Sequence, residues 1–376
     1  MLSIQDVATR LHVSRQTIYT YVSRGLLHAE PDPDNPKRSL YKVWDVERLA
    51  ERQGRGRSHA KIAASTLSGG EPVLDSQLSS IKDGRLYYRE HDAIALADTA
   101  SLEDIAALLW SGDADIFTGA VCEPVPVSNQ PTMQRIFRAM SALATCGPWT
   151  EHVEAAHSAA ATLLTTMAAT VGAEQHSAAP IYVRMGRGLS SHPDAPELVR
   201  RCLVLSADHE LNPSTYAARV VASTRAPLGA CVLGGLAALS GPRHGGMTNV
   251  VRTTMSDAAL LAAPAAVVTA RMERGERIPG FGQRLYPEGD PRAAAILAHV
   301  TLPDEWQVVV DTVERRTGLR PNIDFALAAV EHVLDMPHGA GFGLFATART
   351  VGWIAHALEQ WTRSQIIRPR AAYVRS

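Results

Sequence analysis

The stretch Gly-Pro-Arg-His-Gly-Gly, residues 241–246, places a histidine among residues that shape the backbone. The glycines let the backbone approach a ligand closely, and Pro242 stiffens that approach. A purely structural turn needs glycine and proline but no imidazole between them. We therefore interpret His244 as a functional side chain, with a structural turn as the alternative.

Two more titratable side chains stand at irregular points of the chain. His209, in Asp-His-Glu-Leu-Asn (208–212), follows an apolar helical pattern, and Asn-Pro-Ser (212–214) begins the next one. Asp324, in Arg-Pro-Asn-Ile-Asp (320–324), precedes an apolar run. Taken alone, His209 is more often a core histidine, and Asp324 is more often a helix N-cap. The other interpretation is that both face a cleft, where substrate-binding groups are usually placed.

A glycine-rich loop, Pro-Gly-Phe-Gly-Gln-Arg-Leu-Tyr (279–286), is followed by Asp-Pro-Arg (290–292). Its arginines suit an anionic ligand that carries carboxylate or phosphate groups. Gln283 has an amide at a position where an imidazole would fit the pattern of the other motifs. By itself this loop does not specify a ligand.

Composition limits the class of protein. With 376 residues, 46% of them apolar and 20% charged, the chain is long enough for two or three soluble globular domains. The net charge of −1 argues against a surface that binds nucleic acid or membrane throughout. Residues 1–61 nevertheless hold eleven Lys and Arg against seven Asp and Glu, a net +4 that leaves −5 for the remainder. We expect a basic N-terminal segment and an acidic body.

The spacing of the cysteines and the length of the apolar stretches indicate where in the cell the protein is located. The four cysteines form no Cys-x-x-Cys pair, so we expect neither a metal site nor a disulfide framework. The first residues lack the apolar core of a signal peptide. The longest apolar stretches, 229–241 and 258–270, are too short and too interrupted to cross a bilayer. The sequence therefore predicts a cytoplasmic protein without membrane contact.

Residues 1–52 predict a small DNA-binding-like domain. Ser3 and Ser14 are N-cap residues for two short amphipathic helices, and Gly25 ends the second. The pattern resembles the winged helix-turn-helix of the MerR and excisionase type, in which polar side chains of the second helix face base edges. Those side chains are Arg15, Gln16, Thr17 and Thr20. Lys37 and Arg38 would contact phosphates from the wing. The alternative is an accessory helical module without a DNA target.

The rest of the chain predicts a linker and a helical body. Residues 53–72 are rich in Arg, Gly and Ser, which is typical of a basic linker. From residue 73 the apolar periodicity is helical apart from short strand patterns near 78–88, so the fold class is mainly α. Ser-Leu-Glu-Asp (101–104) opens one helix as a capping box. Further helices are predicted at 133–144, 152–171, 197–207, 214–221, 227–239 and 247–255.

Taken in order, the motifs of the body resemble the citrate synthase family. They are Asp-His-Glu-x-Asn (208–212), Gly-Pro-x-His-Gly-Gly (241–246), Pro-Gly-Phe-Gly-x-x-x-Tyr (279–286) with Asp-Pro-Arg (290–292), Pro-Asn-Ile-Asp (321–324), Ala-Arg-Thr-Val-Gly-Trp (348–353) and Arg-Pro-Arg-x-x-Tyr (368–373). Residues 84–89 resemble an early family element, although Glu90 replaces its usual glycine. The resemblance covers about residues 75–376.

This resemblance implies a helical enzyme with a cleft between two domains. The large domain would comprise residues 73–256 and 346–376, and the small domain residues 257–345. Family members condense an acyl-CoA with oxaloacetate, acetyl-CoA giving citrate and propionyl-CoA giving 2-methylcitrate, and they are dimers. We therefore expect a homodimer, with no cofactor besides the CoA thioester that serves as substrate.

The resemblance also implies a role for each site residue. Asp324 would remove a proton from the acyl carbon, and His244 would stabilise the thioester oxygen of the enolate. The carboxylates of oxaloacetate would be bound by His209, Arg292, Arg349 and Arg368, the last donated by the partner subunit. The CoA site would be bordered by Gly280, Phe281, Gly282 and Arg284.

Gln283 stands where the family has a third catalytic imidazole, which polarises the ketone of oxaloacetate. Glutamine keeps a neutral N–H donor but cannot transfer a proton. Since losing one transition-state donor typically costs about 10²–10³ in rate, we expect reduced activity. The alternative function is a DNA-binding transcriptional regulator that uses a catalytically weak synthase body as a metabolite sensor.

Overall fold

The structure, a computed structural model, describes residues 1–11, 13–32, 35–43, 45–46, 49, 74–117, 129–175 and 177–369. They belong to two compact units, one that comprises residues 1–75 and 313–319 and another that comprises residues 76–312 and 320–369. The predicted linker at 53–72 lies outside the described residues. The predicted division of the body into large and small domains stays a prediction.

The first unit is a helix-turn-helix with a small sheet. In chain order it contains β1 (Leu2–Ser3), α1 (Ile4–Leu11), α2 (Arg15–Ser23), β2 (Ala29–Asp32) and β3 (Asn35–Tyr41). The strands form an antiparallel sheet in the order β1-β3-β2. The predicted helix-turn-helix is confirmed, and the β2–β3 hairpin lies where the wing was predicted.

Local chemistry explains both helices of this unit. The Ser3 hydroxyl accepts from the Asp6 N–H, and the Asp6 carboxylate accepts from Ser3 in return, which is the capping-box arrangement. Ser14 accepts from the Thr17 N–H at 3.3 Å. Gly25 then takes a φ of 67°, a conformation that favours glycine after a helix end. The apolar faces of the helices meet in a separate core of Val7, Leu11, Ile18, Leu27, Tyr41, Val46 and Leu49.

The second unit begins with a small antiparallel sheet. Its strands are β4 (Ser79–Lys82), β5 (Arg85–Tyr88) and β6 (His91–Asp92), in the order β4-β5-β6. Ser79 pairs with Tyr88, and Lys82 pairs with Arg85 at the turn. The strand pattern predicted near 78–88 is therefore confirmed.

The remainder of the second unit is helical. Its helices are α3 (Ala93–Leu96), α4 (Leu102–Trp110), α5 (Thr132–Ala142), α6 (His157–Val171), α7 (Ile181–Leu189), α8 (Ala195–Ser206), α9 (Pro213–Ser223), α10 (Leu228–Leu239), α11 (Met247–Thr254), α12 (Ala258–Ala262), α13 (Pro264–Glu273), α14 (Pro291–Leu297), α15 (Asp304–Thr317), α16 (Ile323–Val333) and α17 (Ala340–Trp361). Two 3₁₀ turns cover Ala114–Phe117 and Val153–Ala156. The mainly α fold class is confirmed. None of the described helices is both long enough and apolar enough to cross a membrane.

Helix starts follow the predicted caps. Ser101 and Asp104 form the predicted capping box at the start of α4, and the helix buries Leu102, Ile105, Ala106, Leu109 and Trp110. Asn212 caps α9 by accepting from the N–H groups of Ser214 and Thr215, both at 3.1 Å. The Asn212 side chain also lies 3.2 Å from His244, so the start of α9 and the predicted functional histidine are in contact.

The long helix α17 forms the centre of the unit. Every residue from Ala340 to Leu358 is buried, which is typical of a helix surrounded by other helices. Gly352 permits its closest approach to the end of α8, since a Cβ there would lie 2.5 Å from the Asp208 carboxylate and 2.6 Å from the Ala207 carbonyl. The Gly352 N–H donates to that carbonyl at 3.1 Å. This approach brings the Arg349 turn of α17 against the segment that carries His209.

Candidate active site

His209 lies in the connection between α8 and α9. Its Nε2 is 2.9 Å from the hydroxyl of Tyr286, and only 6% of the residue is exposed. The connection is fixed to β4 because the Glu210 N–H donates to Ser79 and the Glu210 carboxylate accepts from the Ile81 N–H. Burial, followed by the charges of Arg292 and Arg349, holds the pKa of His209 well below its ordinary value. His209 is therefore a neutral imidazole beside two cations.

His244 lies in the connection between α10 and α11. Its Nε2 is 2.9 Å from the Ser214 hydroxyl and 3.2 Å from the Asn212 side-chain oxygen. Burial first and Arg349 second lower the pKa of His244 to about 3. The side chain is thus neutral throughout the physiological range and carries one N–H.

Asp324 occupies the first turn of α16. Its backbone N–H donates to the side chain of Asn322, which caps the helix, and its Oδ1 accepts from the Thr248 hydroxyl at 2.8 Å. Burial, opposed in part by Thr248 and Arg292, raises the pKa of Asp324 to about 7. A carboxyl with this pKa exchanges protons near neutral pH, which is what a general base requires. Asn322, and not Asp324, is the N-cap.

Arg292 lies at the start of α14 and is almost fully buried. Its guanidinium forms a bidentate pair with Asp290, with Nε–Oδ1 and Nη2–Oδ2 distances of 3.0 and 2.8 Å. Asp290 also accepts from the backbone N–H groups of Arg292 and Ile323, so it joins the starts of α14 and α16. Burial alone would lower the pKa of Arg292. The charge and hydrogen bonds of Asp290 outweigh burial, so the pKa of Arg292 is raised.

Arg349 lies in the middle of α17 and is 1% exposed. Its Nε donates to the Ser206 carbonyl at 2.9 Å, and its guanidinium lies 5.0 Å from the centre of the Phe345 ring. Within the described residues its buried Nη2 has no hydrogen-bond partner. Burial lowers the pKa of Arg349 to about 10, so the cation is held at a cost. A buried cation with an unpaired donor is a receptor for an anion.

The glycine-rich loop lies beside Asp324. Gly280 has a φ of 87°, and a Cβ there would lie 2.9 Å from Val251 and 3.1 Å from Phe325, so only glycine fits. The Gly282 N–H donates to the Arg320 carbonyl, and the Asn322 N–H donates to the Gly280 carbonyl. These bonds fix the loop to the start of α16.

The next four residues of this loop, which were also predicted site residues, differ in their burial and contacts. The ring of Phe281 packs 5.2 Å from that of Phe325, and Gly282 is partly buried. Gln283 is also partly buried, and its side-chain oxygen accepts from the Leu285 N–H at 3.5 Å. Arg284 is exposed. The loop is joined to His209 through Tyr286, three residues after Gln283.

Arg368 does not join the other predicted site residues within this chain. It is exposed and, among the described residues, makes no hydrogen bond or ion pair. Its predicted contribution from a partner subunit stays a prediction. The structure thus brings together His209, His244, Asp324, Arg292, Arg349 and the loop at 280–286 through direct contacts or shared electrostatic neighbours.

Several residues of the site were not singled out from the sequence. The carboxylate of Asp208 accepts from Ser79 at 2.5 Å and from His356 Nε2 at 3.1 Å, directly behind His209. Burial alone would raise the pKa of Asp208, but His356, Arg349 and Ser79 together lower it. Tyr286 and Asp290 belong to motifs quoted above, so their position was a usable signal. Thr248 had no such signal. Among the described residues no group of three or more His, Cys, Asp or Glu is arranged to hold a metal ion.

Four of the predicted DNA-contacting residues lie on α2. Arg15, Gln16 and Thr20 are exposed, and Thr17 is partly buried beside its cap Ser14. Tyr19 was not predicted, although it is 60% exposed and its helical spacing from Arg15 places it on the same face. Arg38 is exposed on β3, and the side chain of Lys37 on that strand lies outside the described residues.

Comparison with known proteins identifies the class to which this fold and site belong. The family described as "Citrate synthase, C-terminal domain" matches residues 117–370, and the one described as "Helix-turn-helix domain" matches residues 1–54. The citrate synthase of Haloferax volcanii is 30% identical over 352 residues, which is 80% of this chain and 93% of that protein. The chain therefore belongs to the citrate synthase family.

Two other relatives are similar over a shorter stretch. Citrate synthase 2 of Bacillus subtilis is 34% identical over 210 residues, and 2-methylcitrate synthase 1 of Corynebacterium glutamicum is 37% identical over 183 residues. The matches cover 53% and 46% of this chain and 56% and 48% of those proteins, so the chain spans about half of their length.

A solved structure supports the fold. It is the ternary complex of carboxymethyl coenzyme A and oxaloacetate with the citrate synthase of Thermoplasma acidophilum, with a TM-score of 0.67 and 21% identity. The match covers 83% of this chain and 96% of that chain.

Proposed function

We propose that this protein condenses a short acyl-CoA with oxaloacetate, giving citrate from acetyl-CoA or 2-methylcitrate from propionyl-CoA. A carbon–carbon bond forms between the acyl α-carbon and the ketone carbon. Water then cleaves the thioester, which releases a carboxylate and the CoA thiol. The relatives named as citrate and 2-methylcitrate synthases support this substrate pair.

The observation that carries the proposal is the unpaired guanidinium nitrogen of Arg349. It lies in a region where Arg292 is the second buried cation and where His209 is neutral. Arg292 is already paired with Asp290, so the donor left for a ligand is Nη2 of Arg349. A carboxylate suits this donor, because the arginine fork matches a carboxylate geometrically, and oxaloacetate is a small dicarboxylate.

Enolisation is assigned to Asp324 and His244. Asp324, ionised at and above about pH 7, removes a proton from the acyl α-carbon. His244 stays neutral, so it stabilises the enolate oxygen as a hydrogen-bond donor and not as a cation. The Ser214 hydroxyl can donate either to the Asn212 side-chain oxygen, at 2.7 Å, or to His244 Nε2, at 2.9 Å. The proposed role requires the second arrangement, in which the single N–H of His244 is on Nδ1. The Asn212 oxygen then keeps its two backbone donors.

The ketone end of the reaction is assigned to Gln283. Its amide oxygen is used by the Leu285 N–H, which leaves the amide nitrogen to donate to the ketone oxygen. The alkoxide that forms on condensation must take its proton from water, because an amide cannot supply one. We therefore place the slow step at the alkoxide or in the hydrolysis that follows it.

The test is release of free CoA thiol from acetyl-CoA and from propionyl-CoA, each with and without oxaloacetate. We expect oxaloacetate-dependent release by the wild type and about a tenfold gain in kcat for Gln283→His, since a charged donor improves on a neutral one by about 1–2 kcal/mol. An inactive wild type together with an active Gln283→His would mean that the natural chain is not a synthase.

A second function, DNA binding, is favoured by the exposed face of α2. Arg15, Gln16 and Tyr19 extend from a helix whose N-terminus is capped by Ser14, as in a recognition helix. This feature supports the alternative of a transcriptional regulator that senses a metabolite through the synthase body. The two functions are compatible.

Electrophoretic mobility shift on genomic fragments tests this second function. We expect salt-dependent binding that is weakened by Arg15→Ala and left unchanged by Lys82→Ala, an exposed lysine of the other unit. Binding that persists after removal of residues 1–61 would exclude a contribution of this domain.

A further inference from the structure

Thr248 makes direct contact with the carboxyl group on which the proposed reaction depends. Its side chain is completely buried at the start of α11, and its hydroxyl donates to Asp324 Oδ1 at 2.8 Å. The same helix starts from the His244 turn, since the Met247 N–H donates to the His244 carbonyl and the Thr248 N–H donates to that of Gly245. Thr248 therefore links the helix that follows His244 to the helix that carries Asp324.

A second contact joins the same two helices. Arg252, one turn after Thr248 on α11, lies 3.4 Å from the buried carboxylate of Glu331, two turns after Asp324 on α16. Glu331 also accepts from the Gly341 N–H at the start of α17. Two separate contacts thus join α11 to α16 and restrict how one helix can slide along the other, which restricts the position of the Thr248 hydroxyl relative to the Asp324 carboxylate.

The contact leaves the two oxygens of Asp324 unequal. Oδ1 is occupied by the Thr248 hydroxyl, whereas Oδ2 has no hydrogen-bond partner among the described residues. A hydroxyl donor favours the ionised carboxylate and adds no charge of its own. The other charged groups that act on Asp324 are Arg292 and Asp290 at the start of α14 and Arg349 on α17, and none of them forms a hydrogen bond to it.

We propose that Thr248 is a positioning residue, which fixes the Asp324 carboxylate with Oδ2 toward the acyl carbon and sustains its ionised form. The role of Oδ2 as the atom that accepts the acyl proton rests on the proposed function, whereas the effect of Thr248 on the ionisation of Asp324 does not. The direction of the expected pKa change follows from the hydroxyl being the donor. Removing a donor to the charged form raises the pH at which Asp324 loses its proton.

The kinetic test compares Thr248→Val, Thr248→Ser and Thr253→Val. Val keeps the shape of Thr without the hydroxyl, Ser keeps the hydroxyl, and Thr253 is an exposed threonine of the same helix. For Thr248→Val we expect the acid limb of kcat/KM to move up by about one pH unit, which lowers the rate at pH 7 about fivefold. Thr248→Ser and Thr253→Val are expected to follow the wild-type profile.

A loss of carboxylate orientation can be measured separately from a change in the pKa of Asp324. The fixed orientation of Oδ2 predicts that Thr248→Val also has a lower kcat at high pH, where Asp324 is ionised in every variant. An unchanged acid limb, or Thr248→Ser behaving like Thr248→Val, would overturn the inference, since a purely structural threonine predicts those results.

A measurement without turnover separates this inference from the proposed function. The carbonyl stretch of the protonated carboxyl, obtained as the infrared difference between each protein and its Asp324→Asn counterpart, reports the titration of Asp324 directly. We expect its midpoint to rise by about one pH unit in Thr248→Val. An inactive protein that shows this rise would refute the synthase proposal alone, and an active protein without it would refute the inference about Thr248 alone. If Thr248→Val does not fold, Thr248→Ala removes the same hydroxyl.

Discussion

Arg349→Met is the most informative perturbation, because it should affect binding and stability in different ways. Methionine is unbranched and uncharged and replaces the apolar stem of arginine, so it can remain beside Phe345 in the interior. The variant removes Nη2, a buried guanidinium nitrogen that has no hydrogen-bond partner among the described residues. It also removes the Nε donor to the Ser206 carbonyl.

The expected loss of oxaloacetate binding is large. A hydrogen bond to a charged group is worth about 1.5–3 kcal/mol, and a bidentate pair supplies two of them. Each 1.4 kcal/mol is about tenfold in affinity, so Arg349→Met should bind oxaloacetate at least about a hundredfold more weakly. Isothermal titration of oxaloacetate into wild type and variant measures this difference.

The expected effect on stability is small or favourable. Burial lowers the pKa of Arg349 from its ordinary value to about 10, which corresponds to on the order of 3 kcal/mol by which burial disfavours the cation. Losing the bond to Ser206 costs about 1–3 kcal/mol in the other direction. Urea unfolding without ligand should therefore give a free energy within about 2 kcal/mol of wild type.

Arg200→Met provides the matched control. Arg200 is also buried, but its guanidinium is satisfied by the carbonyls of Ala97 and Asp98 and by Glu197. Here we expect a loss of about 3 kcal/mol in stability and unchanged oxaloacetate affinity. If Arg349→Met were the unstable variant and bound oxaloacetate normally, Arg349 would be a structural residue and the assignment of the anion site would be refuted.

Three further predictions concern stability and pH. In the wild type, the free energy of unfolding should fall as pH rises from about 4 to about 7, because in that range Asp324 is protonated in the folded protein and ionised in the unfolded one. Asp324→Asn should lack that fall and be more stable at pH 9 by about 4 kcal/mol. Parallel curves of stability against pH for the two proteins would contradict this. In Gly235→Ala, the new Cβ would lie 2.6–2.8 Å from the Trp353 ring. Since Trp353 donates to Ser214 at 3.1 Å, we expect about 1–3 kcal/mol of destabilisation and a lower kcat/KM, and normal kinetics would argue against this route to His244. Ser101→Ala should lower stability by about 1 kcal/mol in denaturant titrations and leave kcat/KM unchanged.

Local signals explain how much of the fold was predictable. Ser14, Ser101 and Asn212 each cap a helix with their own side chain, and such caps depend on only three or four neighbouring residues. The burial of α17 on all sides is different, because it results from packing against helices that are distant in sequence. Residues 340–358 are apolar on nearly all sides, which is typical of a buried helix, but the sequence does not show which helices surround it.

The same distinction applies to the site. His209, His244 and Asp324 were recognisable since each stands at a break in the helical pattern, beside glycine, proline or asparagine. Thr248 stands inside a helix that also contains Thr253 and Thr254, and only its burial against Asp324 separates it from them. The buried contact of His356 with Asp208 could not be predicted either, because it joins residues 148 positions apart.

A synthase of this kind must form a carbon–carbon bond, and Asp324 is the proposed base for that step. Carbon-13 NMR of [2-¹³C]acetyl-CoA mixed with oxaloacetate follows the labelled carbon from the thioester methyl group into a methylene group of citrate. We predict labelled citrate with the wild type and with Asp304→Asn, an exposed aspartate in the first turn of α15. Asp324→Asn should be slower by a factor of about 10² or more. Release of CoA without labelled citrate, or equal rates for Asp324→Asn and wild type, would contradict the account.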